Sequence, residues 1–104
     1  MENVEKILPK VLIIDDAVFV RDILTELLAD KYLCSTASCE DEVLEAISNE
    51  TFDVVLSDID LGETSGIDLV PKILAASPDT TVVMISGNQT IDHAIGAMRV
   101  GAFD

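Results

Sequence analysis

The chain has 104 residues, 49% of them hydrophobic and 4% aromatic, with no Trp. That length bounds it to one small domain, and a core of Val, Ile, Leu and Ala suits helices layered on a parallel sheet better than a sandwich with aromatic corners. A net charge of -14 with a pI near 4.1 repels phosphate backbones and argues against direct nucleic-acid binding.

Met1 to Pro9 reads as a polar lead-in. Lys10 to Ile14 is a buried strand that stops at Asp15-Asp16. From Ala17 the period changes: Val20, Ile23, Leu24, Leu27 and Leu28 follow the template of a helix with one buried stripe, with Arg21, Asp22, Thr25 and Glu26 on the other side and Asp16 placed to cap it. Leu33 to Ala37 predicts a second strand of mixed character, as at a sheet edge. Ser38 is placed to cap a helix over Glu40–Asn49, with Val43, Ala46 and Ile47 inward. Val54 to Ser57 is a third strand, and a glycine-bearing loop runs from Asp58 to Ser65. A third helix is expected from about Gly66 to Ala76, burying Ile67, Val70, Ile73 and Leu74, with its first turns loosened by Pro71. Thr81 to Ile85 is a fourth strand ended by Ser86-Gly87-Asn88, and Ile91, Ala94, Ile95 and Met98 make a last amphipathic helix stopped near Gly101.

The order β-α-β-α-β-α-β-α demands a parallel sheet with right-handed crossovers, in one domain over residues 1–104. No apolar run approaches membrane-spanning length and Met1 to Lys10 is no signal peptide, so a cytoplasmic protein is expected. Cys34 and Cys39 fit no CxxC or zinc pattern and read as structural thiols in a reducing compartment. His93, the one histidine, lies on the last helix and reads as a surface residue.

Three polar groups follow three buried strands: Asp15-Asp16, Asp58 and Ser86. In a parallel sheet all strand carboxyl ends share one edge, so neighbouring strands bring these groups into one cleft. Asp16 alone is accounted for as a cap, Asp58 as a strand terminator and Ser86-Gly87 as a turn pair; their coincidence at one topological place is what points to a site. Three carboxylates together call for a divalent cation, and all-oxygen ligands suit Mg²⁺. A carboxylate beside Mg²⁺ can attack phosphorus, the Ser86 hydroxyl can donate to a phosphoryl oxygen, and the Gly87 backbone allows close approach.

These residues resemble the receiver domain of bacterial two-component response regulators. The likeness runs from Lys10 to Asp104: Val11-Leu12-Ile13-Ile14-Asp15-Asp16 is similar to the family's first strand and acid pair, and Asp58 sits at the phospho-accepting position. Ser65-Gly66 is similar to the pair that opens the third helix, Ser86-Gly87 to the hydroxyl–small pair, and Gly101-Ala102-Phe103-Asp104 to the lead into a fifth strand. The resemblance implies a flavodoxin-like sheet of order 2-1-3-4-5, here with four strands and four helices. It implies phosphoryl transfer to Asp58 from the phosphohistidine of a sensor histidine kinase or a histidine phosphotransfer protein. Mg²⁺ would be held by Asp15, Asp16, Asp58 and the Asp60 carbonyl, and Ser86 would move toward the phosphoryl group and switch a protein-binding surface. It implies no separate substrate turnover beyond the domain's own phosphorylation and dephosphorylation.

The sequence departs from the family at two places. Gly62 stands where proline is usual, which predicts a mobile loop and a less pre-organised metal site. The chain also stops at Asp104, before the strand that carries the family's lysine and switch aromatic; an open fourth strand and a bare first-helix face are expected, and with them a homodimer through those surfaces. Two rivals carry other functions: a receiver-like module that works by protein contacts without phosphorylation, and a haloacid-dehalogenase-type phosphatase with Asp58 as nucleophile and Asp60 as general acid.

Overall fold

The computed structural model of the chain describes residues 7–85. Ser86, Gly87, His93, the last predicted helix and Gly101 to Asp104 lie outside the described residues. Within them the order is β1 (Lys10–Ile14), α1 (Val18–Leu28), β2 (Leu33–Ala37), α2 (Glu40–Asn49), β3 (Val54–Asp58), β4 (Asp60–Leu61), β5 (Thr64–Ser65), α3 (Gly66–Ala76) and β6 (Thr81–Ile85). The main sheet is parallel, in the order β2-β1-β3-β6, so β6 is the fourth strand of the expected 2-1-3-4 arrangement.

Strand order and handedness together sort the helices. The chain steps from β1 to β2 in one direction and returns past β1 to β3 and then β6 in the other. Right-handed crossovers in opposite directions lie on opposite faces, which puts α1 on one face and α2 and α3 on the other. The main core fills the second face: Leu12, Ile14, Ala37, Val43, Val55, Leu69, Ile73, Val82 and Met84 pack together with Phe52 and Leu61. Burying each of these larger side chains contributes about 1.5–3 kcal/mol.

The other face is thinner. Val11 and Ile13 are buried there, while Val54, Leu56, Val83 and Ile85, the alternate residues of β3 and β6, are half-buried. Helix α1 has no buried residue. Val20, Leu24 and Leu28 are half-buried, but Ile23 is 40% and Leu27 68% exposed, so the single buried stripe expected of this helix divides into a half-covered row and an exposed one. Phe19 extends the exposed row at 70%.

Further details differ from the sequence reading. Asp16 does not cap α1: the N-cap is Ala17, whose N–H donates to Asp15 Oδ1 at 2.9 Å. Ser38 precedes the Cys39 N-cap of α2 and donates from both its N–H and its hydroxyl to Glu42 Oε1, at 2.7 and 2.8 Å. Those donors hold the Glu42 carboxyl below its ordinary range. Pro71 lies within a continuous α3, whose N-cap Ser65 hydroxyl accepts from the Ile67 N–H. In α3 the first-turn core residue is Leu69, fully buried, whereas Ile67 is 55% exposed.

The segment expected to be a mobile loop is a hairpin. β4 and β5 pair antiparallel, Asp60 opposite Ser65 and Leu61 opposite Thr64. Gly62 supplies the turn with a φ of 81°, a left-handed angle that glycine adopts without steric cost. Leu61 is buried in the core, and the Gly66 N–H donates to the Ile59 carbonyl at 2.7 Å. The segment is therefore held at its base, its middle and its turn.

Candidate functional site

β1 and β3 are adjacent and parallel, with Ile14 opposite Ser57, so the residues that follow each strand emerge at the same edge. Carboxylate oxygens of Asp15, Asp16 and Asp58 all lie within 4.8 Å of one another. Asp15 is buried, Asp16 exposed and Asp58 half-buried. Two like charges at that separation repel by about 1 kcal/mol in a water-like medium and about 3–4 kcal/mol at the effective dielectric of a protein surface.

Backbone groups hold this cluster in place. The Asp15 N–H donates to the Ala37 carbonyl at 3.1 Å, which ties the end of β1 to β2. The Asp15 carboxylate accepts from the Ala17 N–H, and the Asp15 carbonyl accepts from Arg21 Nη1 at 2.7 Å. Asp58 Oδ1 accepts from the Asp60 N–H at 3.3 Å, and the Ile59 N–H donates to the Ile85 carbonyl at 2.9 Å. Burial pushes the Asp58 carboxyl above its ordinary range; the Asp60 N–H opposes that, and the charges of Asp15, Asp16 and Asp60 add to it.

The Asp60 carboxylate is not one of the three converging groups. It is exposed, and its Oδ1 accepts from the Gly62 N–H at 3.1 Å, closing the β4–β5 turn. Among the described residues the group that converges is thus Asp15, Asp16 and Asp58, while Ser86 and Gly87 are outside them.

The sequence reading gives Ser57, Gly66 and Arg21 no contact with the acids, and the structure gives each of them one. Ser57 is fully buried, and its hydroxyl donates to the Asp58 carbonyl at 3.0 Å. Gly66 lies against the same carbonyl: a Cβ there would overlap the Asp58 oxygen and sit 3.0 Å from Ser57 Oγ. The signal for Ser57 was a hydroxyl inside an otherwise apolar strand. Arg21, read as a surface residue of α1, reaches back to Asp15; its signal was a lone cation six residues past an acid in a strongly acidic chain.

The donor set fits a hard divalent cation. Six-coordinate Mg²⁺ has oxygens at 2.0–2.1 Å, which places neighbouring ligands about 3 Å apart and opposite ones about 4 Å apart. Carboxylate oxygens within 4.8 Å of each other meet that with a small contraction.

The response regulator receiver domain family model matches residues 11–104. The response regulator protein PilR of Pseudomonas aeruginosa is 38% identical over 97 residues, covering 91% of this chain and 22% of that protein. The chain therefore spans about a fifth of the length of this curated relative. Among solved structures, a Burkholderia pseudomallei response regulator, crystallised with a phosphorylated aspartic acid, a calcium ion and citrate, is 28% identical with a TM-score of 0.75, over 89% of this chain and 55% of that one. The chemotaxis protein CheY4 of Vibrio cholerae gives a TM-score of 0.78 at 25% identity, over 93% of this chain and 83% of that one.

Proposed function

The chain belongs to the response regulator receiver domain family, and from that premise we propose that residues 1–104 form a phospho-accepting unit in which Asp58 takes a phosphoryl group from the phosphohistidine of a histidine kinase or a histidine phosphotransfer protein. The convergence of Asp15, Asp16 and Asp58 at one sheet edge carries this reading. An Asp58 carboxylate oxygen attacks phosphorus; the new oxygen–phosphorus bond forms as the phosphorus–nitrogen bond to the donor imidazole breaks, and the imidazole leaves carrying a proton. Mg²⁺ bound by Asp15, Asp16, Asp58 and the Asp60 carbonyl would neutralise charge on the transferring group.

The chain's own residues position the nucleophile. The Asp60 N–H orients one Asp58 oxygen, while Ser57 and Gly66 fix the peptide behind it. Ser86, with Gly87 beside it, is proposed to donate to a phosphoryl oxygen and carry the change to a protein-binding surface. The relative crystallised with a phosphorylated aspartic acid and a calcium ion supports both acceptor chemistry and a cation beside it. The exposed row of α1 and the edge strand β2, with Leu33 51% exposed, are the proposed surfaces for protein partners, a second copy included.

The test is incubation with acetyl phosphate and Mg²⁺ followed by intact-mass analysis. One added phosphoryl group on the wild-type chain and none on Asp58→Asn is expected. Equal labelling of the two would overturn Asp58 as the acceptor, and none on either while both remain folded would favour the module that acts by contacts alone. Turnover of a generic phosphate ester would favour the phosphatase.

A further inference from the structure

Asp16 is the most exposed of the three clustered acids, and among the described hydrogen bonds none fixes its carboxylate; its position follows from the residues on either side. Asp15 is fixed through its N–H on Ala37, its carboxylate on the Ala17 N–H and its carbonyl on Arg21. Ala17 accepts in turn from the Arg21 N–H at 3.1 Å. These contacts close a ring around Asp16: Asp15 carboxylate to Ala17 N–H, Ala17 carbonyl to Arg21 N–H, and Arg21 guanidinium back to the Asp15 carbonyl. A guanidinium–carbonyl hydrogen bond is charge-assisted and stronger than a neutral one.

We infer that Arg21 is a positioning residue for the acid cluster, locking the Asp15–Asp16 peptide so that both carboxylates face Asp58. The inference rests on the metal-assisted reading above. Among the described residues Arg21 makes no ion pair within ion-pair distance, and as a cation it is no metal ligand. The ion pairs among the described residues join Lys10 to Glu50 and Lys72 to Glu40. Arg21 lines an open groove with Thr36, Ser38, Glu42 and Glu45. The Ser38 donors chiefly hold the Glu42 carboxyl low, and the charge of Arg21 adds to them.

The test compares Arg21→Met, which keeps the stem and loses the donors, with Arg21→Lys, which keeps one donor head. Mg²⁺ affinity is measured by calorimetry on the full chain, and backbone amide shifts are recorded by NMR without metal. Removing a group that orients a metal ligand from behind weakens binding by about tenfold or more. Arg21→Met is therefore expected to bind Mg²⁺ about tenfold more weakly and to shift the Asp16 and Ala17 amides. Arg21→Lys should recover most of the affinity.

Val43→Ala serves as a control, destabilising the core from α2 without touching the ring. Equal loss of Mg²⁺ affinity in Val43→Ala would reduce the effect to general stability and overturn the inference, as would unchanged affinity and unmoved amides in Arg21→Met. A wild-type chain that binds no Mg²⁺, with the Arg21→Met amide shifts still present, would remove the metal reading and leave the anchoring in place.

Discussion

Gly66→Ala isolates the packing that holds α3 against the acceptor strand. Alanine is ordinarily the better helix former by about 0.5–1 kcal/mol, and its smaller unfolded-state freedom acts in the same direction. Here its methyl would overlap the Asp58 carbonyl oxygen and press on the buried Ser57 hydroxyl. These neighbours are backbone and a fully buried side chain, so no flexible tip can swing aside. The start of α3 and the end of β3 would have to part by about an ångström to restore contact distance. Overpacking of this kind costs about 1–3 kcal/mol, and straining the 2.7 Å bond from the Gly66 N–H to the Ile59 carbonyl costs about 1 kcal/mol more. After the helix-propensity offset the net loss is about 2 kcal/mol, which lowers the melting temperature by roughly 8–16 °C in a domain of this size. Urea denaturation measures it, with Gly62→Ala as the contrast. A Cβ at Gly62 has room, 3.8 Å from Asp16 Oδ2, so that variant bears only the left-handed φ of 81°, about 1 kcal/mol. A Gly66→Ala midpoint within about 0.5 kcal/mol of wild type, or a smaller loss than in Gly62→Ala, would refute the close-packing account.

Gly62→Pro should destabilise more than Gly62→Ala by thermal melting, because the proline ring fixes φ near −65° and the hairpin turn needs the opposite sign. Leu69→Ala should cost about 2–5 kcal/mol and Ile67→Ala less than about 0.5 kcal/mol in urea unfolding, since one is fully buried and the other 55% exposed. For pH, burial chiefly raises the Asp58 pKa, so between the ordinary aspartate value and the raised one the folded chain binds more protons than the unfolded chain. Stability therefore falls as pH rises through that window, and the penalty persists above it. Asp58→Asn should melt higher than wild type at neutral pH and lose that advantage in acid, and millimolar Mg²⁺ should raise the wild-type melting temperature at neutral pH more than that of the variant; an advantage independent of pH would count against the burial cause.

Much of the fold was legible because polarity and period change together at the element boundaries. The strand over Lys10–Ile14 ends where its apolar run meets two acids, and Leu33–Ala37, Glu40–Asn49, Gly66–Ala76 and Thr81–Ile85 likewise have the bounds their patterns predict. Periodicity gives the direction of a stripe but not how much covers it. So the spacing of α1 predicts one buried stripe while its Ile23 and Leu27 stay exposed, and the spacing of α3 points to Ile67 while Leu69 fills the core. The β4–β5 hairpin is not legible in the sequence because two-residue strands carry no alternation; its core residue, Leu61, looks like any loop leucine. The acid cluster was visible from topology alone, since parallel strands must end on a common edge. The contacts that hold it, from Arg21, Ser57 and Gly66, are fixed by side-chain reach and close approach, which spacing does not encode.

The distribution of charge along the strands bears on why this edge invites a cation. At the amino ends, acids are answered: the Lys10 N–H donates to Asp53 Oδ2 at 2.8 Å and Lys10 Nζ meets Glu50 at 3.2 Å. On the helix side Lys72 pairs with Glu40. At the carboxyl ends, among the described residues, Asp15, Asp16 and Asp58 meet neutral N–H groups or one another, and the Arg21 guanidinium bonds a carbonyl. Hydrogen bonds from neutral donors orient a carboxylate without cancelling its charge, so the repulsion among the three remains in the folded chain. Such an arrangement costs stability unless something from outside supplies positive charge, and an added divalent ion stabilises the folded state in proportion to that unanswered charge. The same backbone anchoring that leaves the acids unneutralised keeps them in place to receive it.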